Sequence, residues 1–393
     1  MRAQPDRRAA TAAGVVTTMR PRYPALDGIR AIAALAVVGT HAAFWTGHYR
    51  DTTAGLLLAR LDFGVALFFV LSGFLLFQPW VRARDTDRPS TRRFLWHRAL
   101  RILPAYWVVV IAVYLLVPSG PGAGAPALLR NLTLTQIYGN GWLHADLTQM
   151  WSLATEVMFY LLLPVLAWAM LSLSRGRPPW LLACCGVLVA VTVVWYAVTR
   201  SAVVLDASAV YWLPAYLDWF AAGMALSVLV VWWESDRDRS PAVLRAIAAA
   251  PGSSWVLAAC LIAIAATPIA GGPTLGQSLT KNLLYLGAAV AIVAPCVLRT
   301  ELTTTTRWIG GPVMRRIGLI SYELFLVHLV VLDGVMRLMD YQVFTGSLLI
   351  VFVLTAGLSL PLAWLLYQLV ERPARRLRAR VDAPRSAPQP SRS

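Results

Sequence analysis

Apolar residues in this chain fall in long, nearly unbroken runs, not in the short stripes of a water-soluble fold. Ten runs stand out, at 29–45, 63–81, 102–117, 150–171, 180–198, 210–233, 254–270, 281–298, 317–336 and 344–369. Each is close to the ~20 residues that a helix needs to cross the hydrocarbon core of a bilayer. In lipid a backbone must satisfy its own hydrogen bonds, and a helix does so within one segment. The pattern therefore predicts an all-α protein, a polytopic bundle of about ten transmembrane helices. The longest connection, 118–149, opens with PSGPGAGAP and continues as LLRNLTLTQIYGNGWLHADL, which is apolar enough to dip into the membrane. No internal repeat is visible, which disfavours the inverted-repeat transporter folds.

Composition agrees with the pattern. Hydrophobic residues make up 58% of the 393 and charged residues 14%, against ~25% charged in soluble domains. The 35 Lys and Arg residues exceed the 19 Asp and Glu, for a net charge of +16. Their placement sets the topology. With residue 1 inside, the segments 1–30, 82–101, 172–179, 234–253, 299–316 and 370–393 hold 29 of the 35. That bias follows the positive-inside rule and predicts both termini in the cytoplasm, with the bundle in the cell membrane. Basic cytoplasmic loops meet anionic headgroups and anionic co-substrates, so the charge calls for no nucleic acid. Residues 1–22 and 379–393 are rich in Arg, Ala, Pro and Ser and are expected to be disordered tails around one transmembrane domain, 23–378. The polar lead of about 28 residues does not read as a signal peptide. The four cysteines fall in predicted spans, without the spacing of a metal site or a disulfide framework, and read as packing residues.

Polar groups inside spans carry the chemical information, because hydrocarbon penalises them unless they have partners. Arg30 lies at the cytoplasmic mouth of the first run and His41 eleven residues on, on nearly the same helix face and ~16 Å further along. That places His41 near the bilayer midplane; a packed, hydrogen-bonded histidine is the plainer reading. In TRRFLWHRALRILPAYW, Arg92, Arg93, Arg98 and Arg101 precede a span. They are either ordinary inside charge or a clamp for phosphates, which arginine's forked donors suit. In WSLATEVMFYLLLP, Ser152, Glu156 and Tyr160 share one face. A glutamate there needs a proton or a cationic partner, and a structural hydrogen bond is the alternative. In FFVLSGFLL, Ser72 and Gly73 mark either close helix packing or a polar contact in a cavity. GLISYELFLVHLVVL places Ser321, Glu323 and His328 in a span, and VERPARRLR reads as a helix stop at Pro373 with headgroup-anchoring arginines.

Taken in order, LDGIRAIAALAVVGTH, FFVLSGFLL, RRFLWHRALRILPAYW, WSLATEVMFYLLLP, GLISYELFLVHLVVL and VERPARRL resemble the acyltransferase 3 family of membrane O-acyltransferases over about residues 23–378. The resemblance implies transfer of an acyl group, often acetyl, from cytoplasmic acetyl-CoA or another acyl-CoA to a hydroxyl. The implied acceptors are a glycan, glycolipid or lipid of the cell envelope, or a macrolide. It implies no tightly bound cofactor and no metal. The family's Arg-x10-His motif maps to Arg30 and His41, its Arg-x-x-Arg motif to Arg98 and Arg101, and its WSLxxE block to Trp151, Ser152 and Glu156. Two departures stand out. Thr155 occupies a position where many members carry a second acid, and Val327 replaces the usual aromatic before His328.

Acyl transfer from a thioester needs a base for the attacking hydroxyl, a role suited to histidine. His41 is expected to be that base or a brief acyl carrier, with Glu156 orienting or charge-balancing its imidazole. Arg30, Arg93, Arg98 and Arg101 are expected at the CoA phosphates. Ser72, Trp151, Ser152, Tyr160 and His328 are expected to support the substrates or the site. The outer half is rich in aromatics, among them Trp142, Trp151, Tyr211, Trp212, Tyr216 and Trp219. An interfacial belt is their default explanation and a sugar-stacking platform the alternative. A transporter or flippase of a lipid or glycan, and a non-catalytic membrane scaffold, are the competing classes. A transporter needs no cytoplasmic phosphate clamp, and a scaffold would tolerate replacement of His41.

Overall fold

A computed structural model describes residues 23–50, 52–83, 88–117, 120–200, 207–267, 274–299 and 304–382. The tail expected over 1–22, and 383–393 of the C-terminal one, lie outside them. Among the described residues there are helices and no strands. In chain order the helices are α1 (Pro24–Trp45), α2 (Thr53–Ala59), α3 (Gly64–Arg82), α4 (Thr91–Leu116), α5 (Ala125–Leu132), α6 (Met150–Ser174), α7 (Pro178–Arg200) and α8 (Leu217–Ser235). They continue as α9 (Ala242–Ala249), α10 (Pro251–Ala265), α11 (Leu275–Leu298), α12 (Thr304–Ile309), α13 (Pro312–Leu319), α14 (Ser321–Leu338), α15 (Leu348–Leu366) and α16 (Arg372–Asp382).

The all-α bundle expected from the apolar runs is the fold. Among the described residues eight helices are long and apolar enough to cross a membrane, and ten if each of two bent pairs counts as one span. The pairs are α9 with α10, bent by 95°, and α13 with α14, bent by 69°. At the first bend Pro251 opens α10, where its missing N–H costs nothing. At the second, Gly318 presses on α1: a Cβ there would lie 1.9 Å from the carbonyl oxygen of Asp27.

Close helix approach holds the centre. α3 and α8 interlock through Gly73 and Gly223. A Cβ on Gly73 would sit 2.1 Å from Phe220 O, and one on Gly223 2.0 Å from Val70 O. Around this crossing the Phe220 ring stacks on Phe69 (4.4 Å) and Phe159 (4.1 Å). Small residues that let backbones touch are how helices associate where no hydrophobic force drives them together. α6 shows the inversion that a membrane imposes. Its Leu161, Val165 and Trp168 are more than half exposed, whereas Ser152 and Thr155 are buried.

The ends of the bundle differ in chemistry. At the end where α1 begins and α3 and α8 finish, Tyr23 meets Gln78 and Arg82, and Arg82 pairs with Glu234 at 2.8 Å. This is the basic end. At the far end, the described part of the longest connection, 120–149, forms α5 and a compact loop. Asn131 donates to the Trp142 carbonyl (2.7 Å) and His144 bonds the Val117 carbonyl (3.1 Å). One expectation fails: Pro373 does not stop the helix. α15 runs through one π-helical turn, Tyr367–Glu371, into α16, which accepts Pro373 near its start and continues to Asp382.

Candidate active site

A cavity of about 570 Å³ opens among α3, α4, α6, α14 and α16. Its α3 wall is a single helical stripe of Val65, Phe68, Phe69, Ser72, Leu75 and Leu76. Toward the basic end it is lined by Arg30, His97, Arg98, Arg101 and Arg375. Further in it is lined by Ser152, Glu156, Tyr160 and Phe325.

The arginines are held in different ways. Arg101 lies between two buried carboxylates, Glu323 at 3.6 Å and Glu371, while its guanidinium covers the Tyr322 ring at 5.1 Å. Glu371 also takes Arg375, one turn along. Arg30 stands 3.9 Å from Asp27. Arg98 has no carboxylate partner among the described residues. It lies over the Tyr160 ring at 6.0 Å, and its buried Nε has no hydrogen-bond acceptor. Arg98 is half-buried, and a buried guanidinium N–H without an acceptor is a donor for an anion.

Deeper in the cavity Glu156 accepts hydrogen bonds from Ser72 and from Tyr160 Oη (2.7 Å). The shared face expected for Ser152, Glu156 and Tyr160 is real, but Ser152 serves α6 itself and donates to the Gln149 carbonyl (3.2 Å). Ser72 and Gly73 divide the two readings between them: Gly73 packs on α8 and Ser72 meets Glu156. Thr155 turns away from the cavity and donates to the Tyr211 carbonyl at 2.6 Å, so the position of a second acid has become a helix–loop tie.

His41 pairs with His328, not with Glu156. His41 Nδ1 and His328 Nε2 are 2.9 Å apart, with the rings stacked. The tautomers follow from the carbonyl on the other side. His328 Nδ1 lies 2.8 Å from Phe325 O, which can only accept, so Nδ1 of His328 bears a proton. In a neutral His328 the Nε2 is then an acceptor and His41 donates to it from Nδ1. That leaves the lone pair on Nε2 of His41, with no hydrogen-bond partner among the described residues. Gln149 braces the same turn through Phe325 O and Leu326 O.

α1 begins at Pro24, so His41 is the eighteenth of its 22 residues, about 10 Å past the helix midpoint toward the far end. One sequence expectation shifts here: Arg30 lines the cavity and His41 does not. Phe325 joins them, lining the cavity with its ring centroid 5.8 Å from that of His328. Arg93 is exposed in the first turn of α4, outside the lining. Trp151 lines a second cavity toward the far end.

The sequence did not single out Arg375, Glu371, His97, Tyr322 or Phe325. The signal for the first two was present in VERPARRLR, where Glu371 and Arg375 are four apart, but reading Pro373 as a stop hid the pairing.

The acyltransferase 3 family, described as an acyltransferase domain, matches residues 23–368. Acyltransferase MdmB of Streptomyces mycarofaciens is 29% identical over 412 aligned residues, covering 94% of this chain and 96% of that one. Peptidoglycan O-acetyltransferase OatA of Listeria monocytogenes is 28% identical over 165 residues, 37% of this chain and 24% of the relative. Nodulation protein 10 of Rhizobium leguminosarum is 29% identical over 163 residues, 36% of this chain and 43% of the relative. No solved structure matches. The match takes in the histidine pair and the cavity lining on α1, α3, α4, α6 and α14, with Ala374 and Arg375 of α16 just beyond it, and the chain belongs to the acyltransferase 3 family of membrane O-acyltransferases.

Proposed function

We propose that this acyltransferase takes its acyl group from a cytoplasmic acyl-CoA, often acetyl-CoA, and delivers it to a hydroxyl of a glycan, glycolipid or lipid of the cell envelope. The observation that carries this reading is the cavity with four arginines at its mouth and a polar interior. The basic end is the cytoplasmic one by the arginine count, so both termini are inside. Arg98, with its Nε unspent, and Arg30, Arg101 and Arg375 receive the CoA phosphates. The pantetheine arm runs along the α3 stripe toward Phe325.

His41 is the base in this reading. Its Nε2 takes the proton from the acceptor hydroxyl as that oxygen bonds to the thioester carbonyl carbon. The C–S bond then breaks and the thiol leaves with the proton returned from His41. His328 positions the imidazole by accepting from Nδ1, as the third member of a catalytic chain does. Phe325 has to turn aside for the thioester to reach His41. If His41 carries the acyl group briefly, it does so from the same nitrogen. Glu156 supports a second reading, because it lines the cavity and His41 does not. There Glu156 takes the proton, with Ser72 and Tyr160 setting its orientation.

The test uses membranes containing the full chain and radiolabelled acetyl-CoA, and identifies which lipid or glycan gains label. Label in no product would overturn the reading and favour a transporter. His41→Ala and Glu156→Gln separate the two bases: loss confined to the first supports His41, and loss confined to the second replaces it with Glu156.

A further inference from the structure

The second cavity, about 280 Å³, lies at the far end and is lined by residues of α3, α6, α7, α8 and α11. It abuts the first. Val65 lines both, and on α6 Trp151 faces the far cavity while its neighbour Ser152 faces the basic one. Its walls are a connected set of rings. Trp151 lies 5.0 Å from Tyr216, Tyr216 5.0 Å from Trp219, and Trp219 6.3 Å from Tyr285. An interfacial belt turns its rings to headgroups, but Trp219 is 5% exposed and Tyr285 1%. These rings line an interior surface.

The polar groups among them are unusual in two respects. Their charges cancel: Lys281, the only lysine in the chain, is 2.6 Å from Asp62, which also accepts from Tyr285 Oη. Their hydrogen bonding is incomplete on the acceptor side. Asn282 lines the cavity, is 2% exposed, and donates from Nδ2 to Asp218 Oδ2 at 3.0 Å. Its Oδ1 has no partner among the described residues, and neither has Oδ1 of the buried Asp218, which stands behind it outside the lining. Buried acceptors without donors mark a place where a ligand brings the donors. The cavity is just below the ~300–1,000 Å³ of pockets for drug-sized ligands, which is room for one ring.

We infer that this far cavity is the acceptor subsite and that it binds one neutral, polyhydroxylated ring, a single glycosyl residue. A hydroxyl supplies the donor that Asn282 Oδ1 lacks, and the C–H faces of the ring lie on the electron-rich faces of Trp151, Tyr216 and Trp219. A lipid tail would leave that acceptor unmet, and an anionic sugar would compete with Asp62 for Lys281. The inference rests on the acyl-CoA reading above, because the shared wall at Val65 joins this subsite to the donor cavity.

The experiment places the full chain in lipid nanodiscs and measures radiolabelled acetyl-CoA consumption and product. The probes are a panel of neutral methyl glycosides and, as the apolar alcohol, decanol. Saturable acetylation of at least one glycoside is expected. Trp151→Ala and Asn282→Ala should each raise KM for that glycoside at least tenfold while KM for acetyl-CoA moves less than twofold, and Trp151→Phe should recover most of the Trp151 loss. Acetyl-CoA consumption with decanol acetylated and no glycoside touched would overturn the sugar assignment. So would a glycoside KM that ignores both variants, or turnover of acetyl-CoA with no probe acetylated. No acetyl-CoA consumption at all would sink the underlying acyl-CoA reading instead. Each variant is first checked for a monodisperse elution profile, and Trp151→Phe carries the comparison if the alanine forms do not fold.

Discussion

The two cavities share a wall of α3 and α6 and differ in almost everything else. At the basic end the cavity collects Arg30, Arg98, Arg101 and Arg375, and Arg98 Nε is a donor left without an acceptor among the described residues. At the far end the one lysine is matched by one aspartate, and the surplus is of oxygen acceptors. Adjacent residues of α6 thus face two recognition chemistries. What each end lacks, an anion in one case and hydroxyl donors in the other, says more than what each contains.

Experiments can break this contrast, beginning with the largest effect. His41→Ala leaves both cavities intact, yet transfer should fall by about 10²–10⁴-fold, the usual contribution of a general base. Protein level should be unchanged, and full activity in that variant would remove His41 from the chemistry. Arg101→Ala tests the basic end through folding. It strands Glu323 and Glu371 in the interior, and breaking a buried pair costs about 3–5 kcal/mol. The expected result is a lower Tm and a poor yield of folded protein; a wild-type Tm would show that the two glutamates do not depend on Arg101.

Arg98→Ala is a cleaner probe, because Arg98 holds no carboxylate among the described residues. KM for acyl-CoA should rise about tenfold, the worth of one ~1.4 kcal/mol charge-assisted contact, with Tm and kcat little changed. A rise in the glycoside KM instead would erase the division of labour between the cavities. Arg93→Ala should do least. It sits outside the lining, and its acyl-CoA KM should shift by less than about twofold.

The bundle was legible in the sequence because membrane spans are long and apolar, a signal of composition as much as of order. Legibility fell where direction mattered. Ser152, Glu156 and Tyr160 were placed on one face by their spacing, and they share it. Glu156 was assigned to His41 because both are polar and buried, but hydrogen-bond partners depend on how α1, α3, α6 and α14 are arranged, and no spacing within one helix encodes that. The real partner, His328, lies 287 residues away. The orphan oxygens of Asn282 and Asp218 could not be foreseen, since an absent partner leaves no mark in a sequence.

The π-helical turn at Tyr367–Glu371 has a consequence for how the last helix is attached. A π turn holds one residue more than an α turn and changes the phase of everything after it. Glu371 reaches Arg101, and Arg375 reaches the cavity, at the angle that this extra residue sets. Removing any one residue from the turn would restore the α-helical phase and rotate α16 by roughly 100°. Its length would scarcely change, but its arginines would face elsewhere. The C-terminal arm is keyed to the cavity by angle rather than by reach.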